Sequence, residues 1–272
     1  MPARTTTTAT DARDLARALA FARRQLRGAA EHAIAHPFGE AFVDTRLPLA
    51  HVLNSLHVDA EVDADQLVAA LDDLYAGYAH RRADIEVDAT GARLAPELRR
   101  RQWRVERNVV MALRRPRDSD GDRSLAREVD AATHRSVDTA TVREEPYGRD
   151  EKVVRQLVDM RAKLATAVPV TRWFVATADG VDAAVTTLFS DGAVAQVEDV
   201  ITLRDYRRRG LARAALTLAL DAAADMGHEL VFIIADDDDW PKDLYARVGF
   251  DPVGHVWGFT WTERRAPEPT DA

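Results

Sequence analysis

The run Val197-Glu-Asp-Val-Ile-Thr-Leu-Arg-Asp-Tyr-Arg-Arg-Arg-Gly-Leu-Ala-Arg213 decides the fold. Val197, Val200, Ile201 and Thr202 give it the β-branched character of a strand. A basic turn, Arg207 to Ala212, follows at once, and an Ala/Leu pattern beyond it reads as a long helix. Strand, glycine turn and helix in this order aim the unpaired N–H groups of the first helical turn, with the positive end of the helix dipole, at one point. The natural ligand there is a phosphate. Gly210 allows the close backbone approach that a Cβ would obstruct. The plainer alternative is an exposed, arginine-rich helix start.

Upstream, Asp191-Gly192 turns the chain into this strand, which reads as 193–203. Asp179-Gly180 is a two-residue hairpin signal between strands at 173–176 and 182–189. Residues 150–165 carry Val154, Leu157, Val158, Met160 and Leu164 at helical spacing, and Thr141-Val142-Arg143 reads as the first strand of this half. Downstream, Gly227 closes the helix, and Leu230 to Ala235 is a buried strand returning parallel through a right-handed crossover.

Arg207-x-x-Gly210-x-Ala212 resembles the R/Q-x-x-G-x-G/A pyrophosphate loop of the GNAT superfamily, the acyl-CoA-dependent N-acetyltransferases. One strand further on, Leu244-Tyr-Ala-Arg-Val-Gly-Phe250 resembles the family's L-Y-x-x-x-G-F ending. The resemblance covers roughly residues 139 to 262. It implies an α/β (α+β) fold with a mixed, mostly antiparallel sheet flanked by helices, and acetyl-CoA as cosubstrate. It assigns the pyrophosphate to the backbone of Arg207, Arg208, Arg209, Gly210, Leu211 and Ala212. The pantetheine arm falls to the backbones of Val200, Ile201 and Thr202.

The same resemblance makes Tyr245 the general acid that protonates the departing thiolate, a task that suits a phenol of pKa ~10. A core tyrosine is the other reading. Asp238 stands at a cofactor-side position where the family carries asparagine, and Pro241 replaces the usual alanine. Glu198 and Asp199 lie on the strand that lines the family's acceptor cleft, where a carboxylate can take the proton of the attacking amine. Strand alternation admits only one of them. Glu198, on the face of Gln196 and Val200, is the candidate base, with a salt-bridged strand residue as the alternative.

The first half repeats the order of the second in degenerate form. Residues 11–35 read as a helix ended by Pro37, and 49–58 as a strand. Asp63 and Gln66 read as a capping box opening a helix that bears Leu67, Leu71 and Leu74. A strand at 85–87, a helix at 92–101, Trp103 and a strand through Val105 to Met111 complete it. Asp59, Glu61 and Asp63 replace the glycine turn, and carboxylates there oppose a pyrophosphate. The expected organisation is thus a GNAT-like module without a phosphate turn at 1–115, an exposed linker at 116–138, the acetyltransferase module at 139–264 and a disordered tail at 265–272.

Composition narrows the function classes. The 272 residues include no cysteine, which excludes disulfides, thiolate metal sites and a cysteinyl nucleophile. The net charge of −8 repels nucleic acid, and the arginines between Arg99 and Arg117 read as the solvent face of a strand. The run Asp236 to Asp239 reads as capping and solvation before Trp240-Pro241, and the eight histidines lack ligand spacing, so no metal is expected. Neither a signal segment nor an apolar span is visible, so a cytoplasmic protein without a membrane partner is expected. The expected activity is transfer of acetyl from acetyl-CoA to a primary amine of a small molecule or peptide. The alternative is a non-catalytic acyl-CoA-binding regulatory module; a homodimer stays open.

Overall fold

A computed structural model describes residues 8–115 and 121–263. Eleven strands form one sheet, β1 (His32–His36), β2 (Gly39–Val43), β3 (Ser55–Val58), β4 (His80–Ile85), β5 (Arg104–Leu113), β6 (Ala126–Val129), β7 (Val170–Ala178), β8 (Val181–Ser190), β9 (Val194–Thr202), β10 (Leu230–Asp236) and β11 (Phe250–Thr262). Among the described residues seven α-helices flank it, α1 (Ala9–Ala29), α2 (Ala64–Leu74), α3 (Asp88–Arg100), α4 (Ala131–Arg143), α5 (Glu151–Thr166), α6 (Leu211–Asp225) and α7 (Pro241–Arg247). The sheet is mixed and mostly antiparallel; only β3/β4 and β9/β10 pair in parallel.

The strand order β1-β2-β3-β4-β11-β5-β10-β9-β8-β7-β6 contains an exchange. The last strand of the first half, β5, lies against β10 of the second, and β11 lies against β4 of the first. β5 and β11 then pair antiparallel at the centre, Asn108 opposite Val256. Each half therefore completes the other's sheet, and no break in hydrogen bonding separates 1–115 from 139–264. Helix α1 crosses the junction: Phe21 meets Phe232 edge to face at 5.7 Å, and Arg114 pairs with Asp14 at 2.5 Å.

Side-chain alternation along β5 divides the layers. Val105, Val109 and Met111 face α2, α3, α6 and α7, whereas Val110 and Ala112 face α1 and α5. The arginines of this segment are largely neutralised, Arg104 by Glu106 at 2.7 Å, Arg107 by Asp237 at 2.8 Å and Arg115 by Asp251 at 2.6 Å. β5 is a central strand rather than the half-solvated one expected from its alternation.

Several local expectations change. The segment read as a linker holds β6 and the start of α4, because Asp130 caps a helix whose His134, Val137, Asp138, Thr141 and Val142 form one buried stripe. That stripe also makes 141–143 helical instead of a first strand. The first helix stops at Ala29, and the chain turns back as the β1/β2 hairpin, which the register of β2 on β3 holds in place. The strand expected from 49 begins only at Ser55, after a short 3-10 turn at His51–Leu53. The tail from 265 lies outside the described residues.

The Asp63 capping box forms as its spacing predicts, with the Asp63 carboxylate accepting from Gln66 N at 2.8 Å and Gln66 Oε1 from Asp63 N at 3.1 Å. Asp63→Ala should therefore cost about 1 kcal/mol, read as a midpoint lowered by roughly 2–4 °C in thermal unfolding. An unchanged midpoint would mean that the reciprocal bonds contribute nothing net.

Candidate acyl-transfer site

β9 and β10 pair only from Val194/Leu230 to Gln196/Phe232. Beyond that, β10 stays with β5 as far as Asp236 while β9 leaves it. The cause is in β9 itself. Against β8, Glu198 is opposite Thr187 but Ile201 is opposite Val185, so β9 carries one extra residue, and Asp199 has φ +55°. Such a bulge bends and twists its strand. The result is a gap of 270 Å³ lined by Arg161, Val197 to Ile201, Ile233, Ile234 and Tyr245.

The bulge also overturns strict alternation. Val197 and Val200 both pack toward α6, so the two carboxylates between them share the opposite face, toward α4 and α5. Glu198 and Asp199 both line the gap. Glu198 accepts from Gln196 Nε2 at 2.7 Å, and Asp199 pairs with Arg161 Nε at 3.1 Å. Burial, then the neighbouring Asp199 carboxylate, pushes the Glu198 carboxyl up to about 7, against the pull of Gln196 and Arg161. A carboxylate so tuned gains and loses a proton near neutral pH.

Tyr245, on α7, enters the gap from the other face. It is 6% exposed, meets Phe250 edge to face at 6.3 Å and belongs to the core around α6. Burial, then the Glu198 charge, raises its phenol, so Oη keeps its proton. The core role and the place beside the gap thus coincide in one residue.

At the end of β9 the chain makes a 3-10 turn at Arg204–Tyr206 and enters α6 through Gly210, whose φ of +78° is left-handed. The first intrahelical bond runs from Ala214 N to Gly210 O, and no side chain caps the helix. The N–H groups of Leu211 and Ala212 therefore have no partner within the helix. Space is open where a Gly210 Cβ would stand. Arg207 Nε donates to Thr202 O at 3.1 Å, Arg209 pairs with Asp179 at 2.6 Å, and Arg208 is exposed. Free donors, a left-handed glycine and exposed cations suit a pyrophosphate, and the unpaired edge of β9 at Val200, Ile201 and Thr202 suits an amide-bearing arm.

Asp238 is exposed, with its backbone N–H donating to Asp236 Oδ1 at 2.8 Å, and does not line the gap. Its neighbour Asp237 is the tied carboxylate, bonded by Arg107 and Lys242. No side chain of the acidic run caps α7, which instead starts with Pro241 at its first position. Among the described residues no group of three metal-ligating side chains occurs, and no helix is long and apolar enough to cross a membrane.

Sequence reasoning missed Arg161, Asp138, His134 and Trp173, which adjoin the carboxylate pair. A signal existed for three of them: Arg161 sits three residues after Val158 on an otherwise apolar stripe, and His134 and Asp138 share a helical face at i, i+4.

Residues 137–250 match the model of the acetyltransferase (GNAT) family, so the chain carries a GNAT domain there, and this match supports acyl-CoA-dependent acetyl transfer in general. No curated protein matches the chain. Among solved structures, a GCN5-related N-acetyltransferase from Kribbella flavida is similar at 20% identity and a TM-score of 0.59, over 89% of this chain and 94% of that one. A functionally unknown conserved protein from Staphylococcus epidermidis ATCC 12228 is similar at 11% identity and a TM-score of 0.64, over 86% and 94%. Both likenesses are of fold, and they extend over both halves.

Proposed function

We propose that this chain, through the GNAT domain at 137–250, transfers an acetyl group from acetyl-CoA to a primary amine. The observation that carries the proposal is the gap between β9 and β10, where a carboxylate tuned near neutrality and a protonated phenol meet beside the bare end of α6. Acetyl-CoA bound along β9 and the Arg207–Ala212 turn would supply the thioester that the amine attacks.

The chain's own residues then divide the work. Leu211 and Ala212 offer backbone N–H groups to the pyrophosphate, and Arg207, Arg208 and Arg209 surround it with positive charge. The bulge at Asp199 holds β9 away from β10, leaving the edge of β9 at Val200 and Ile201 open to the arm. Glu198 Oε accepts a proton from the ammonium or the attacking amine. Tyr245 Oη holds the proton that the leaving sulfur needs. Arg161 pairs with Asp199 and offsets part of the charge that Asp199 places beside Glu198.

The test is acetyl-CoA binding by calorimetry, followed on the same samples by thiol release with a panel of primary amines. Binding with release supports the proposal. Binding without release from any amine favours the regulatory alternative, and a folded protein that does not bind acetyl-CoA sinks both. Tyr245→Phe should lower kcat by about 10²-fold with acetyl-CoA affinity kept, since a general acid contributes on that order. A full-speed Phe variant would return Tyr245 to the core role alone.

A further inference from the structure

The sheet ends in two edges that are built differently. β6, at one end, carries Arg127 and Glu128, which pair with Asp182 at 2.7 Å and Arg172 at 2.6 Å. Charged side chains of this kind discourage further strand pairing. β1, at the other end, reads His32-Ala33-Ile34-Ala35-His36, with no Lys, Arg, Asp, Glu or Pro and no break in its register with β2. Its first four residues are exposed, Ile34 to 43%. Among the described residues no strand pairs with its outer side. An exposed, uncharged edge is a template for another strand.

The chemistry of β1 says which strand fits, because β1 reads the same in both directions. An antiparallel copy centred on Ile34 sets Ile34 against Ile34, Ala33 against Ala35 and His32 against His36, so β1 is its own complement about a two-fold axis. The main-chain groups agree with that register. Glu86 N donates to Val58 O at 2.9 Å, so Val58 addresses β4 and His57 addresses β2, where Glu40 is its partner. Asp59 N donates to Phe38 O at 3.1 Å in the same sense. The alternate residues Gly39, Ala41 and Val43 then address β1 through His36, Ile34 and His32. The N–H and C=O groups left pointing away from the sheet are those of Ala33 and Ala35. In the centred register these two residues meet, and they exchange hydrogen bonds on both sides of the axis. Pro37, the next residue in phase, has no N–H and ends the ladder there. The carboxylates flanking the strand are already engaged, Glu40 by Arg27 at 2.7 Å and Glu31 by Thr45 N at 3.0 Å.

We propose that β1 is a self-pairing edge, and that two copies of this chain join there as an antiparallel continuation of both sheets into one. Five residues a side make a small contact, so the dimer forms in a concentration-dependent way.

The test is sedimentation velocity over a concentration series. The monomer should pass to twice its mass and no further, since a two-fold contact uses the β1 edge of both copies. Ala35→Pro removes an outward N–H and no bond to β2, and it should weaken the association at least about tenfold through the hydrogen bonds lost. Ile34→Lys sets like charges opposite one another on the axis and should weaken it about as much. Both variants should keep the wild-type far-ultraviolet spectrum. Because the chain has no cysteine, Ile34→Cys adds a reading that does not depend on affinity. Residues paired without mutual hydrogen bonds in antiparallel strands have Cα atoms ~4.5 Å apart, within reach of a disulfide, so oxidised glutathione should join two copies of this variant. His32→Cys should stay unlinked, since the same residue of the second copy lies about 13 Å along the strand. Doubling that is lost in Ala35→Pro and Ile34→Lys, with linkage in Ile34→Cys alone, supports the proposal. A chain that stays monomeric throughout the series, association that survives both substitutions or continues beyond two copies, or equal linkage of the two cysteine variants overturns it.

Discussion

Glu198→Gln should lower kcat/KM by about 10²- to 10⁴-fold, the range a general base contributes. The amide keeps the shape of the carboxylate, so acetyl-CoA affinity should stay the same. In the wild type kcat/KM should rise with pH and level off above about 7, as the half-buried Glu198 carboxyl loses its proton. The Gln variant should have lost that limb. A stability change of opposite sense should accompany it. Glu198 titrates near 7 in the fold and near 4.5 when unfolded, so its contribution is fully present below 4.5 and is lost as pH rises through 7. Above 7 the ionised group, close to Asp199, works against the fold. Glu198→Gln should therefore raise the thermal midpoint at pH 8 by several degrees and leave it nearly unchanged at pH 4. Thermal scans at both values, beside the rate profile, check this. A variant that keeps its rate, or the same midpoint shift at both values, would remove Glu198 from the role of base.

Gly210→Asp should weaken acetyl-CoA binding by at least about 100-fold. Two effects act together. The residue sits at φ +78°, where a side chain costs about 1 kcal/mol, and the new carboxylate stands at the mouth of the free N–H groups, opposing the pyrophosphate. Because nothing lies within 4 Å of the position a Cβ would take, the fold should survive. Gly210→Asn separates the two effects, since asparagine tolerates the left-handed region and carries no charge. Its binding loss should be well under that of Asp, and the Asp deficit should shrink in high salt. Calorimetric titrations of the three proteins give the comparison. Equal binding by Asp and wild type would move the phosphate away from this turn.

The parts of the site that follow from local chain chemistry were legible. Gly210 after a basic turn, the Asp179-Gly180 hairpin, the Asp63 capping box and the buried strand at 230 each depend on residues within a few positions of one another, and each appears where its pattern falls. Periodicity failed where it had been interrupted. One extra residue in β9 put Glu198 and Asp199 on the same face, and a period of two cannot register an insertion that only the partner strand reveals. The charge-rich stretch after 120 looked like linker because its buried stripe contains His134, Asp138 and Thr141, polar residues that are covered only when α5 and the sheet close over them.

By itself, then, the sequence determined the glycine turn into α6, the two motif-bearing elements and the locally patterned α2, α5, β9 and β10, since backbone propensity and turn chemistry act at short range. Tertiary structure alone decided the rest. The exchange of β5 and β11 between the halves is a choice among strands of similar pattern, settled by which edges are left unpaired. The Asp138–Arg161–Asp199 cluster joins three separate elements. The titration of Glu198 comes from burial and a neighbouring charge, which exist only after packing has excluded water from around it.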